Sequence, residues 1–180
     1  MAEYSAFKVE LIDNIAHVQI NRPEKLNAMN AAFWEEIIDI FQWVDDTDAI
    51  RVVVISGAGK HFSAGIDLAL LASVAGQLGK DVGRNARLLR KTILRMQASF
   101  NAVDQCRKPV LAAVQGYCIG GAIDLISACA MRSCRADAPF SIPAIDLGMA
   151  ADAGPLQPLP LSTHDRLTRE LALTGRTVDA

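Results

Sequence analysis

HFSAGIDL at residues 61–68 and QGYCIGGAIDL at residues 115–125 each follow a β-branched apolar run and place small residues directly before a predicted helix. Glycine lets the main chain approach a ligand closely, and the first turn of a helix leaves N–H donors without internal partners. One such turn more often serves tight packing than function. Two of them facing each other can stabilise a negative charge that develops on a single oxygen.

Strand patterns occupy the segments around these two turns. Residues 7–12 and 15–20 alternate or concentrate β-formers on either side of Asp13-Asn14, which predicts a hairpin. Residues 51–55 and 110–114 are largely continuous apolar runs, which is the pattern of strands covered on both faces. These strands should form the centre of the molecule.

Helical patterns lie between the strands. Apolar residues repeat at helical spacing after the cap residue Asn30, and a second apolar stripe predicts a helix over about 81–105. Strands that alternate with helices favour an α/β fold with short crossover units. With 180 residues and 51% hydrophobic content, the chain can bury one sizeable core, so we expect a single domain over residues 1–180.

Bulk composition narrows the classes of partner and compartment. The net charge of -2 and the pI near 5.9 give no global reason to bind nucleic acid or an anionic membrane. The four cysteines form no C-x-x-C pair and are typical of small core residues in a reducing compartment. Neither an apolar run long enough to span a membrane nor a secretory signal is visible, so we expect a cytoplasmic protein.

Several other functional motifs do not match this sequence. Residues 57–60, Gly-Ala-Gly-Lys, are not a phosphate loop, because Val54 replaces the first glycine and His61 follows the lysine. A nucleophile elbow around Ser63 would need glycine at position 61. The spacing of Cys and His supports no metal site. A basic stripe at residues 87–95 is more typical of a solvated helix face than of phosphate binding.

Aspartates are the acid–base candidates. Asp124 lies three residues after Gly121, so its carboxylate can face the same side of a helix as that N–H. Asp152 follows small and apolar residues, and burial there would raise the pKa of its carboxyl group toward the range useful for proton transfer. Asp67 fits a helix cap before Leu68.

Taken in order, the motifs resemble the crotonase superfamily, the enoyl-CoA hydratases and isomerases. They are Asn21-Arg22-Pro23, Leu26-Asn27-Ala28-Met29, the segment 62–67, Lys108-Pro109-Val110, Gln115-Gly116-Tyr117 and Gly120-Gly121. The resemblance runs from about residue 7 to the end. It implies an α/β fold built as a spiral of ββα units. The C-terminal helices that complete the acyl pocket and form trimers in that family are expected to be missing or incomplete in a sequence ending at Ala180.

The resemblance also implies residue roles. The main-chain N–H groups of Ile66 and Gly121 would form an oxyanion hole for the thioester carbonyl of an acyl-CoA, and Asp124 and Asp152 would be catalytic. Asp124 falls where dienoyl-CoA isomerases carry an aspartate and hydratases a glutamate, and Asp152 coincides with an acidic residue characteristic of dienoyl-CoA isomerases. The implied substrate-binding residues beside the hole are Ala64, Asp67, Leu68 and Gly120.

Dienoyl-CoA isomerases are the most similar subgroup, which implies conversion of 3,5-dienoyl-CoA to 2,4-dienoyl-CoA through a thioester enolate. The resemblance implies no cofactor beyond the CoA of the substrate, and a homotrimer or dimer of trimers. Ala144 stands where both hydratases and dienoyl-CoA isomerases usually carry a second catalytic glutamate. Enoyl-CoA hydratase, another crotonase reaction and a weakly active or inactive acyl-CoA-binding member therefore stay open. Pro155, Pro158 and Pro160 predict a loop or a short, broken helix.

Overall fold

Two sheets organise the chain in a computed structural model that describes residues 3–151, 154 and 159–180. The strands are β1 (Phe7–Ile12), β2 (Ile15–Ile20), β3 (Val52–Gly57), β4 (Val110–Val114), β5 (Cys118–Ile119), β6 (Met131–Cys134) and β7 (Phe140–Ser141). The larger sheet has the order β1-β2-β3-β4-β6. β1 and β2 pair antiparallel, and the other neighbours are parallel. Asp13 and Asn14 turn this predicted hairpin with positive φ at both residues.

Helices connect the strands. They are α1 (Ala31–Asp46), α2 (Leu68–Gly76), α3 (Val82–Asp104), α4 (Gly121–Ser127), α5 (Leu159–Ser162) and α6 (Asp165–Thr174), with 3-10 turns at Pro23–Lys25 and Pro143–Leu147. The predicted cap Asn30 accepts a hydrogen bond from the Phe33 N–H at 3.0 Å, and Asp81 caps α3. Both long predicted helices are confirmed. No described helix has the length and apolar character needed to cross a membrane.

Aromatic rings join the large sheet to the long helices. Phe7 on β1 stacks on Phe33 of α1 with ring centroids 4.9 Å apart. Trp34 then meets Phe33 and Phe100 of α3 edge-on, each at 5.3 Å. Each ring pair of this kind contributes about 0.5–1.5 kcal/mol beyond the burial of its area. This packing fixes α1 and α3 against the sheet, and α3 in turn forms one side of the site described below.

A short segment follows each parallel strand of the large sheet, and these segments pair with one another to form a narrow second layer. β5 pairs with β7, and single bridges join Met29 to Ile66, Ser63 to Cys118 and Phe140 to Val178. The chain therefore runs from a strand of the large sheet to a short segment of the second layer and then to a helix, once after β3 and again after β4. This repetition confirms the predicted spiral of ββα units, and it brings the two glycine-rich turns side by side.

The proline-rich segment is described only in part. α5 is four residues long and contains Pro160 in its first turn, a position that needs no internal N–H bond. The short helix agrees with the expectation of broken structure near this proline. Pro155 and Pro158 lie outside the described residues.

Candidate functional site

The main-chain N–H groups of Ile66 and Gly121 lie at the contact between the two glycine-rich turns. A Cβ built on Gly121 would lie 3.8 Å from the Ile66 nitrogen, and one built on Gly65 would lie 3.2 Å from the Gly121 nitrogen. The bridge beside Ile66 uses its neighbours instead, because Met29 donates to the Gly65 carbonyl and accepts from the Asp67 N–H. Across the described residues, no atom accepts a hydrogen bond from the Ile66 or Gly121 amide.

Gly65 is required for this contact. Its φ is +84°, which side chains rarely adopt, and a Cβ there would lie 2.4 Å from the Ile119 carbonyl oxygen. Gly121 is different because it begins α4 without a positive φ, so its N–H is free as the first donor of a helix. Glycine at position 65 lets two backbone segments come into contact, and glycine at position 121 keeps its own N–H donor accessible.

A cavity of about 880 Å³ opens beside the two amides. Its walls come from α2, α3, the turn before α2 and the 3-10 helix at Pro143–Leu147, and they are mostly apolar. Six residues of the predicted site line it, namely Ala64, Ile66, Leu68, Gly120, Gly121 and Asp124. An apolar chamber with a few convergent polar groups is the usual form of a small-molecule site.

Asp124 brings a carboxyl group into this chamber. It lies on α4 one turn after Gly121 and is 6% exposed. Among the described residues that line the cavity, it is the only one with a titratable side chain. Ala144 lines the same cavity and offers only a methyl group. Asp152, the second predicted acid, lies outside the described residues.

Asp67 caps α2 and forms an ion pair with Arg22 in the structure. The residue does not line the cavity. One carboxylate oxygen accepts the Ala69 N–H at 3.0 Å as the cap of α2, and the other meets the Arg22 guanidinium at 3.1 Å. The Ala69 hydrogen bond and then Arg22 hold the pKa of Asp67 below its ordinary value of 3.8. The cap interpretation of the sequence is therefore confirmed, and the side chain turns toward its own helix and Arg22.

Asp67→Ala should lower the free energy of unfolding by about 1–2 kcal/mol, because it removes a helix cap and an ion pair whose side chains are 17% and 19% exposed. Urea denaturation at pH 7 measures this loss. Asp67→Asn is the matched control, since asparagine keeps the cap oxygen and should cost less than about 1 kcal/mol. An equal loss in both variants would contradict the capping role.

The pH dependence of that contribution has a fixed sign. Since the folded chain lowers the pKa of Asp67, the carboxylate stabilises the fold above pH 3.8, and the contribution disappears as the pH falls through the lower pKa of the folded state. The difference in stability between the native chain and Asp67→Asn should therefore shrink on acidification over this range.

Sequence reasoning missed the helical walls of the cavity. Leu89, Ile93 and Met96 lie on the apolar stripe that predicts α3, and all three line the cavity. α2 adds Leu71 and Val74, and none of its nine residues, all described, is buried. Apolar spacing predicts which face turns inward but not whether side chains or open space meet it. The exceptional hydrophobicity of the short α2 was the available signal.

Comparison with known proteins identifies a family and several relatives that this chain resembles. The family model described as enoyl-CoA hydratase/isomerase matches residues 10–180. A mitochondrial Delta(3,5)-Delta(2,4)-dienoyl-CoA isomerase from Rattus norvegicus is 49% identical over 169 residues, which are 93% of this chain and 52% of the relative. A peroxisomal protein of the same name from Arabidopsis thaliana is 47% identical over 165 residues, covering 91% of this chain and 59% of the relative. This chain thus spans little more than half the length of these relatives.

A solved structure gives the same result for the fold. The crystal structure of an enoyl-CoA hydratase/isomerase from Mycobacterium paratuberculosis matches with a TM-score of 0.88 at 28% identity, covering 99% of this chain and 69% of that chain. The similarity extends over the large sheet, the second layer and the helices, since nearly the whole of this chain is superimposed.

The predicted cytoplasmic location is wrong, because the relatives are named as mitochondrial and peroxisomal proteins. Neither the lack of a visible secretory signal or membrane span nor the cysteine pattern identifies one compartment. Cys118 and Cys129 are indeed buried free thiols, and burial raises the pKa of Cys129 to about 12. Inert buried thiols indicate a reducing environment, which does not distinguish the cytoplasm from other reducing compartments.

The interlocked glycine turns, the ββα spiral and a family model that spans nearly all of the sequence lead to one assignment. The chain belongs to the enoyl-CoA hydratase/isomerase family.

Proposed function

We propose that this chain carries the active centre of an acyl-CoA isomerase that converts 3,5-dienoyl-CoA to 2,4-dienoyl-CoA. The observation that carries the proposal is the pair of available amides, at Ile66 and Gly121, opening on an apolar cavity that contains Asp124. The choice of reaction is supported by relatives of 47–49% identity that are named dienoyl-CoA isomerases.

The two amides act on the thioester. Their N–H groups donate to the thioester carbonyl oxygen, and these bonds strengthen as the oxygen takes up the negative charge of an enolate. Each such donor contributes about 10²–10³-fold to the rate, because it is already oriented and lies where water is excluded. The apolar walls of α2 and α3 favour the acyl chain and keep water from the enolate.

Two proton transfers complete the reaction. A base removes a proton from C2 of the 3,5-dienoyl chain, the electrons spread from the thioester to C6, and an acid returns a proton at C6, which leaves double bonds at C2 and C4. We assign Asp124 to one of these transfers, since it is the titratable group of the described cavity wall. Asp152 stays the prediction for the other.

Asp124 favours isomerisation, since dienoyl-CoA isomerases carry an aspartate there and hydratases a glutamate, and Ala144 in addition disfavours hydration. Addition of water across a double bond needs a group that activates the water, and in this family hydratases use two glutamates. A methyl group at this point of the cavity wall cannot accept a proton. The proposed isomerisation moves protons only, so it requires no cofactor besides the CoA that carries the acyl chain. Assembly into a homotrimer or a dimer of trimers stays a prediction.

Absorbance of the conjugated 2,4-dienoyl-CoA tests the proposal. The purified chain should convert 3,5-dienoyl-CoA, and Ala144→Glu should alter the rate or add hydration of a 2-enoyl-CoA, because it places a second carboxyl group in the cavity. Ala98→Glu, on an exposed part of α3, is the matched control for the added charge. Tight acyl-CoA binding with no turnover until Ala144→Glu would establish an inactive member instead. Hydration by the unmodified chain without dienoyl turnover would establish a hydratase.

A further inference from the structure

We infer that Ser63 is a positioning residue that sets the separation and direction of both main-chain donors; the inference rests on the proposed function. Ser63 is fully buried in the first glycine-rich turn and forms a bridge with Cys118 of the second. It contacts each turn through different atoms, its hydroxyl on one side and its peptide groups on the other.

The hydroxyl controls the turn that contains Ile66. Ser63 Oγ donates to the Asn27 carbonyl oxygen at 2.8 Å and accepts the Gly65 N–H at 3.1 Å. The Gly65 amide is therefore occupied, and the neighbouring Ile66 amide is the one that stays available. The Ser63 hydroxyl thus holds the Ala64–Gly65 peptide unit, and the Met29 N–H, which donates to the Gly65 carbonyl at 2.8 Å, holds the next unit, which carries the Ile66 N–H. The direction of the Ile66 N–H therefore depends on where Ser63 holds Gly65.

The main chain of Ser63 controls the second turn. Its N–H donates to the Tyr117 carbonyl at 2.9 Å, and its carbonyl accepts the Ile119 N–H at 3.1 Å. Ile119 precedes Gly121 by two residues. Ser63 thus joins the segment that leads to Ile66 to the segment that leads to Gly121. A shift of Ser63 would therefore change the distance between the two amides.

Asn27 makes the anchor of Ser63 rigid. It is fully buried and holds φ at +55°. Its side-chain amide donates to the carbonyls of Ala58 and His61, each at 2.8 Å, and its oxygen accepts the Arg22 N–H at 2.9 Å. A buried network with every member paired holds one arrangement, because an unpaired polar group is costly there. The Asn27 carbonyl oxygen, which accepts the hydrogen bond of the Ser63 hydroxyl, is therefore held in place. It cannot move together with Ser63.

Ser63→Ala leaves the Gly65 N–H and the Asn27 carbonyl without the hydroxyl, so the Ile66 amide loses its alignment. We expect kcat for dienoyl-CoA to fall by about 10- to 10²-fold, the loss typical of a misplacement near 1 Å. KM should change little, since the affected bond strengthens in the transition state. If Ser63 had a purely structural role, Ser63→Ala would lower the stability of the fold without changing the stretching frequency of the bound thioester carbonyl.

Infrared spectroscopy of the bound thioester is the distinguishing measurement. The probe is 2,4-dienoyl-CoA labelled with ¹³C at the thioester carbonyl, because hydrogen bonds to this oxygen lower its stretching frequency. The full chain should lower the frequency relative to the free ester, and Ser63→Ala should return it part of the way. Ser63→Cys, which fills the space with a weak hydrogen-bonding group, should behave like Ser63→Ala.

Ser99→Ala is the matched control. Ser99 is also fully buried, and its hydroxyl donates to the Trp34 carbonyl at 2.8 Å, between α3 and α1 and outside the cavity lining. It should lose stability but keep the native carbonyl frequency and kcat.

The outcomes separate the two proposals. An unshifted frequency in the unmodified chain would overturn the proposed function itself. A native frequency in Ser63→Ala, alongside a shifted one in the unmodified chain, would overturn only the positioning role. If Ser63→Ala does not fold, Ser63→Cys decides, and a native frequency and rate in that variant would likewise overturn the role of the hydroxyl.

Discussion

Gly121→Ala is expected to lower kcat/KM for dienoyl-CoA by about 10²–10³-fold while the fold is retained. The added Cβ would lie 3.8 Å from the Ile66 nitrogen, which places a methyl group beside both N–H donors, where the thioester oxygen is proposed to bind. Its nearest neighbours are the Met29 sulfur at 3.1 Å and a side-chain carbon of Ile66 at 3.4 Å. These are movable ends of side chains, so the core can adjust by a few tenths of an ångström.

Steady-state kinetics combined with thermal denaturation measure this effect. Gly76→Ala is the matched control, because Gly76 ends α2 and a Cβ there would meet no atom within 4 Å. It should leave both the rate and the melting temperature close to those of the native chain. Native kcat/KM in folded Gly121→Ala would show that the Ile66 and Gly121 amides do not bind the thioester oxygen.

Asp124→Asn should reduce kcat by about 10²–10⁴-fold, which is the usual contribution of a positioned acid or base. The amide has nearly the same shape as the carboxyl group but cannot take a proton from carbon. Affinity for the acyl-CoA should persist, since the cavity walls and the two amides are unchanged. The largest effect is expected here because the described cavity offers no other titratable side chain to replace Asp124.

Hydrogen exchange at carbon identifies the step. In D₂O, the native chain should introduce deuterium into the dienoyl chain, and Asp124→Asn should slow this incorporation in parallel with turnover. Asp146→Asn controls for the loss of a nearby carboxylate, because Asp146 lies on the 3-10 helix, exposed and outside the cavity lining. Unchanged exchange in Asp124→Asn would contradict its assignment as a proton-transfer residue.

Local patterns predicted the elements whose signals are local. The hairpin turns at Asp13 and Asn14, and α1 begins after Asn30, because a turn and a cap depend on neighbouring residues only. The two glycine-rich turns were also visible. Their contact required the resemblance to a family, since the 2.4 Å approach of a Gly65 Cβ to Ile119 joins residues 54 positions apart in sequence.

Long-range contacts explain what sequence reasoning could not supply. The carboxylate of Asp67 faces Arg22, 45 positions away, and the hydroxyl of Ser63 meets the main chain of Asn27, 36 positions away. Spacing along a helix or strand carries no information on such pairs. It also could not separate the α3 residues that fill the core, such as Phe100, from those that border open space, such as Ile93.

The absence of buried residues in α2 bears on how this protein can diversify. Replacements on a helix without a buried residue usually change stability by less than about 0.5 kcal/mol, whereas a Cβ added at Gly65 would lie 2.4 Å from the Ile119 carbonyl oxygen. If the proposed function holds, randomising Leu71 and Val74 should change the preference for acyl chains without altering the two amides or Asp124. The proposed function would then have its substrate range and its chemistry in separate parts of the chain, so that one could change while the other is kept.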